Sequence, residues 1–164
     1  QLAAGCLAAA TGVVYAHLQP AGTVHKKVQI NFHAGRKLEL DLGATVFLLQ
    51  KKACPLIDSF LTLDVSHNET ALKQLISSFV SSFAQRCRLG IFNRDFANSL
   101  RNSGCEGLQV IEVDVGSFYY NAEMRKREEF LKSLQPLQTF VAEKIPALHS
   151  FLEAEIRRTD LCEK

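Results

Sequence analysis

The strongest constraint in this sequence is one apolar stripe: Leu72, Leu75, Ile76, Phe79, Val80 and Phe83 recur every three or four residues between Ser66 and Gly90. Only an α-helix gathers that spacing onto one face, and a face so apolar has to be covered by other elements. The stripe therefore demands a core, and the rest of the chain must supply its cover. Ser66-x-x-Glu69 reads as a capping box, in which the serine oxygen accepts a first-turn amide and the glutamate reaches back. Arg86 and Arg88 fall in the last turn, where cations suit the helix dipole, and Gly90 supplies the stop. Cys87 continues the stripe from Phe83, which predicts a buried and unreactive thiol.

Before that helix, a period of two marks a β-hairpin at about 24–42. Val24, Val28, Ile30 and Phe32 fall on one face, with His25, Lys27, Gln29, Asn31 and His33 on the other. Leu38, Leu40 and Leu42 alternate with Lys37, Glu39 and Asp41, and His33-Ala34-Gly35-Arg36 reads as the turn. Pairing Phe32 with Leu38, Ile30 with Leu40 and Val28 with Leu42 holds the apolar residues on one core-facing side. A one-residue slip would mix the faces. Val46-Phe47-Leu48-Leu49 fits either a continued strand or the start of a helix, limited by Pro55.

After Gly90 the pattern predicts a short helix from about Asp95 to Leu100 and a strand from Leu108 to Val115. Glu112 and Asp114 fall on that strand's outer, solvated face. Phe118-Tyr119-Tyr120 follows a bend at Gly116 and reads as core closure. Residues 122–164 are helical in pattern, divided into two or three pieces by Pro136 and Pro146. The element order predicts one α+β domain over 1–164, with a small, largely antiparallel sheet packed by helices.

Residues 1–18 are Ala-rich and apolar, and no charged residue precedes Lys26. Leu2 to Leu18 would cover about 25 Å as a helix, short of the roughly 30 Å hydrocarbon core. The adopted reading is a buried helix or helix-plus-strand; a signal remnant ending near Val14-Tyr15-Ala16 and a membrane anchor are the alternatives. Five cysteines, at 6, 54, 87, 105 and 162, contain no C-x-x-C pair, which excludes a zinc ribbon or thioredoxin-type motif. Setting Cys6 aside leaves four, enough for two bridges in an oxidising compartment. Asn68-Glu69-Thr70 is a glycosylation acceptor triplet that would suit such a compartment. Reduced thiols in an intracellular protein are the reading adopted, with a secreted or lumenal protein as the alternative.

No catalytic constellation stands out. Cys105, between Gly104 and Glu106, is the better thiol candidate, but the adjacent carboxylate opposes a thiolate. His25 and His33 lie too far apart along a strand to chelate one metal ion, and no cofactor-binding motif occurs. A net charge of +2, with Arg125-Lys126-Arg127 followed at once by Glu128-Glu129, is no nucleic-acid footprint. In the C-terminal region Leu137, Phe140, Val141, Leu148, Phe151, Leu152 and Ile156 form a broad apolar face opposite Glu143, Glu153, Glu155, Arg157 and Arg158. That face is the expected contact for another protein chain; packing on the chain's own sheet is the other outcome. The functional expectation is a non-enzymatic interaction or scaffold domain belonging to a larger protein or assembly. A glycoprotein binding a receptor or apolar ligand is the alternative, and a thiol enzyme centred on Cys105 the third.

Overall fold

The computed structural model describes residues 7–17, 26–31 and 35–161 of the 164-residue chain. The fold is α+β, with small antiparallel sheets of two or three strands and a helical C-terminal region. In chain order the described residues begin with helix α1 (Ala8–Thr11) and strands β1 (Val13–His17), β2 (Lys27–Asn31), β3 (Lys37–Asp41), β4 (Phe47–Gln50) and β5 (Cys54–Pro55). Helices α2 (Leu56–Val65) and α3 (Glu69–Arg88) follow. Strands β6 (Ile91–Asn93), β7 (Ser103–Glu106), β8 (Gln109–Glu112) and β9 (Phe118–Tyr120) come next, then helices α4 (Arg127–Lys144) and α5 (His149–Arg158).

Helix α3 is the centre. Its predicted stripe is buried throughout, and so are Ala71, Ser82, Ala84, Arg86 and Cys87, so cover arrives from more than one side. Helices α2, α4 and α5 and strand β8 all pack against it, and α4 and α5 also pack on each other. The Phe79 and Phe83 rings stack at 4.3 Å. The stripe expected to meet a partner belongs to this same core. Leu137, Val141, Leu148, Leu152 and Ile156 are buried, while Phe140 and Phe151 are half-buried against the same cluster. Phe140 reaches the Phe60 ring at 5.6 Å, and Lys73 lies 5.5 Å over the Phe151 ring. The chain's own helices, not its sheet, cover that face.

Several local expectations are corrected. The N-cap of α3 is Asn68, whose side-chain oxygen accepts from the Ala71 amide at 3.1 Å. Ser66 instead ends α2, its hydroxyl donating to the Leu63 carbonyl. Helix α2 was hidden behind Pro55, which precedes the helix and launches it; Leu56 and Phe60, four apart, are buried. Pro136 does not divide the C-terminal region, because α4 runs through it. The missing amide costs about 3 kcal/mol in an exposed helix. Here buried Leu134, Leu137 and Val141 hold both halves of α4 onto the core. Pro146 does divide it, opening a 3-10 turn at Pro146–Leu148 before α5. The helix expected at Asp95 to Leu100 is a 3-10 turn at Phe96–Asn98, and the strand expected over 108–115 is reduced to β8.

The hairpin is present with its faces as expected but its register moved by two residues: Ile30 pairs with Leu38 and Val28 with Leu40. A shift of two preserves face parity, so the alternation pattern alone could not distinguish the two pairings. Among its described residues the apolar side does not enter the core. Ile30 is 38% exposed and Leu38 43%. Val24, His25, Phe32 and His33 lie outside the described residues. The apolar segment 46–49 is a strand: β4 pairs with β1, Tyr15 opposite Leu49 and His17 opposite Phe47. Of the N-terminal segment, residues 7–17 form a short helix and a strand, with Leu7, Ala10 and Thr11 buried; 1–6 and 18 lie outside the described residues. No helix among the described residues is long and apolar enough to cross a membrane.

Gly12 lets this segment turn against β8. It sits at φ +61°, and a Cβ there would fall 2.9 Å from Ile111 Cδ1. The Gln50 side-chain amide then donates to the Thr11 and Glu112 carbonyls, tying the β1–β4 ribbon to the end of β8.

Asn68→Ala should lower stability by about 1 kcal/mol through loss of the cap. Ser66→Ala and Ile30→Asp should each change it by about 0.5 kcal/mol or less, since both side chains are exposed. Urea denaturation of the three variants checks this ordering.

Candidate functional site

Two constellations carry chemistry beyond simple packing. The first is buried. Helix α3 brings Arg86 to its last turn, where the apolar stripe still faces inward, and β8 ends at Glu112 on the same side. The pair meets at 2.6 Å between Arg86 Nη1 and Glu112 Oε2, both side chains being almost fully buried. The guanidinium lies 4.2 Å from the Phe83 ring centroid and 5.6 Å from that of Phe118, stacking that suits a weakly hydrated planar cation. Nε and Nη2 of Arg86 make no hydrogen bond with the described residues, so Glu112 is the main compensation for the charge.

Glu112 is therefore not on a solvated face. Burial pushes its carboxyl above the usual carboxylate range, and Arg86 and the Asn93 side chain pull it back only in part. The folded chain thus holds this proton to higher pH than the unfolded chain. The contribution of Glu112 to stability falls as pH rises above the ordinary value of 4.5 toward the folded one. Cys87 lies beside the pair, and burial raises its thiol to about 11, as the stripe position implied.

The second constellation is open. Between α2 and the β7–β8 turn lies a groove of about 500 Å³, with Leu63, Leu75 and Leu108 as apolar lining and Cys54, Cys105 and Ser59 on its wall. Cys54 and Cys105 stand directly opposite each other in the β5–β7 pairing. Opposed residues of an antiparallel pair point to the same face, so both sulfurs belong to the groove side. Cys54 is exposed and Cys105 buried, its thiol donating to Ser59 Oγ at 3.1 Å. Gly104 allows the approach, because a Cβ there would lie 2.5 Å from Ala53 Cβ and 2.8 Å from the Cys54 carbonyl. Among the described residues no histidine lines the groove, and Glu106 is paired with Lys51 at 2.7 Å. Sequence spacing could not reveal this cysteine pair, because the two residues come from distant strands.

Of the other residues singled out, Asn68 is exposed at the start of α3, its oxygen occupied by the cap. Tyr119 is half-buried on β9 beneath the Arg94 guanidinium at 4.8 Å, and Tyr120 is exposed. Arg127 is engaged within the fold, donating to the Ile156 and Thr159 carbonyls at the end of α5. Among the described residues no cluster of three metal-ligating side chains occurs.

Arg86→Met or Glu112→Leu alone should cost about 3–5 kcal/mol, each leaving an unpaired buried charge, whereas the double variant should lose far less than the sum. Chemical denaturation of the four proteins measures that coupling. At about pH 8 a maleimide should label Cys54 in the native chain and spare Cys87 until denaturant is added; peptide mapping reads both. Comparison with family models, curated proteins and solved structures finds no match to this chain.

Proposed function

We propose that the chain is a non-enzymatic protein-interaction module, part of a larger protein or assembly, and that its contact surface is the β1–β4 ribbon with the hairpin inserted between its two strands in sequence. The observation that supports this reading is the set of exposed apolar side chains grouped on the N-terminal ribbons. The C-terminal stripe is consumed by the core, whereas the N-terminal ribbons keep Val14, Tyr15, Ile30, Leu38, Val46 and Leu49 exposed. On β1 and β4, Tyr15, His17, Phe47 and Leu49 share one face by register. Phe47 lies 5.8 Å from the Tyr15 ring and 4.9 Å from that of His17. Tyr15 is 48% exposed and Leu49 53%, directly opposite each other. Aromatic and aliphatic side chains grouped on a ribbon favour another protein chain as the occupant, because such residues are enriched at interface cores.

A second reading has its own observation. The groove lined by Leu63, Leu75 and Leu108 is large enough for a small apolar ligand. It supports the ligand-binding alternative without bearing on secretion or glycosylation.

The test compares the wild-type chain with Leu49→Asp, Tyr15→Asp and, as control, Leu131→Asp on α4, which is also exposed. Co-purification from the native source is read together with the thermal midpoint. The ribbon variants should lose a stoichiometric partner at unchanged midpoint while the control retains it. Retention by all three, or the absence of any stoichiometric protein partner, overturns the ribbon assignment. Displacement of an apolar dye by the wild-type ligand, lost in Leu108→Asp alone, would favour the groove.

A further inference from the structure

The geometry points to Cys54 and Cys105 as a redox modification site: a cross-strand dithiol that closes to a disulfide by exchange with a small-molecule disulfide. This dithiol lies apart from the ribbon surface in sequence and sheet, on β5 and β7. Cys54 and Cys105 pair across β5 and β7, share one side of the sheet and line a common groove. Directly opposed residues in an antiparallel pair have Cα atoms about 4.5 or 5.5 Å apart, according to their place in the ladder. Both spacings fall within the roughly 4.4–6.8 Å that a disulfide spans, so closure needs side-chain rotation and little backbone movement.

The two thiols have different roles. Cys54 is exposed and meets the oxidant first. Its thiolate attacks one sulfur of the small disulfide; that S–S bond breaks, and the departing thiolate takes up a proton. Cys105, buried beside Ser59 and sheltered from direct attack, is the resolving thiol. Losing its proton to solvent, it attacks Cys54 Sγ, displacing the second small thiolate, which is protonated in turn. The two cysteines are oxidised by two electrons, and the small disulfide is reduced to two thiols. Cys87 takes no part, since it is buried on α3 with a thiol raised to about 11.

The new bond would tie the start of α2 to β7 across a long loop and fix one wall of the groove. Oxidation should therefore raise the thermal midpoint and be reversed by a dithiol reductant.

The full chain, reduced and then incubated with oxidised glutathione, tests this by intact mass and peptide mapping. Loss of two hydrogens without an adduct, with Cys54 and Cys105 in one cross-linked peptide, is the expected result. Cys54→Ser should form no such cross-link and leave Cys105 unmodified. Cys105→Ser should instead accumulate a glutathione adduct on Cys54, because the resolving thiol is gone. Three results overturn the inference: a persistent adduct on Cys54 in the wild-type chain, a cross-link to Cys6 or Cys162 in place of Cys105, or two unmodified thiols. Circular dichroism of both variants confirms folding. Should Cys105→Ser unfold, the wild-type cross-link and the Cys54→Ser control still decide the outcome.

Discussion

The core of this fold is arranged around the burial of α3 on more than one side, and the sharpest consequence is the Arg86–Glu112 pair. A helix covered on one face could have sent Arg86 to solvent. Because β8 packs on α3, with Val110 at Ser78 and Glu112 at Arg86, the guanidinium is enclosed and is met by a carboxylate from that strand. Removing water from two charges is costly, so this pair is weak evidence for net stability and better evidence for register. It specifies which residue of β8 meets the last turn of α3. Gln50 and Gly12 then attach the N-terminal ribbon to the same end of β8.

The C-terminal helices show how composition and context divide the work. Their apolar face would be a liability alone, and Pro136 would weaken α4 in isolation. Packed on α3, the stripe supplies the burial that keeps α4 continuous. Arg88 and Arg127 secure the far end, donating to carbonyls at and beyond the end of α5, where a helix leaves acceptors unpaired. The C-terminal apolar face is thus already occupied within the fold, while Val14, Tyr15, Ile30, Leu38, Val46 and Leu49 on and beside the β-ribbons stay exposed.

The groove between α2 and the β7–β8 turn follows from the same arrangement. Strand β5 ends in Pro55, the chain turns into α2, and α2 leans on α3 while β7 pairs with β5. Two cysteines far apart in the chain become neighbours there, and Gly104 provides the clearance that the crossing requires. Ser59, one turn into α2, meets the inner thiol. The site is a product of strand pairing and helix placement together.

The sequence by itself determined the α+β class, the long buried helix, the parity of the hairpin faces and the buried character of Cys87. Each follows from a local period, and periodicity is a property of the chain. The tertiary structure decided what each face meets. Asn68 and Ser66 are both credible caps, and only the neighbouring α2 claims Ser66 for its own end. The hairpin pattern is unchanged by a shift of two residues, so alternation alone could not select the register that pairs Ile30 with Leu38. Glu112 alternates like a surface residue and is buried because α3 covers its side of β8. The C-terminal stripe and the ribbon residues are similarly apolar, yet one is core and the other exposed. Local spacing fixes which residues share a face; long-range packing assigns that face a neighbour, since burial depends on elements far away in the chain.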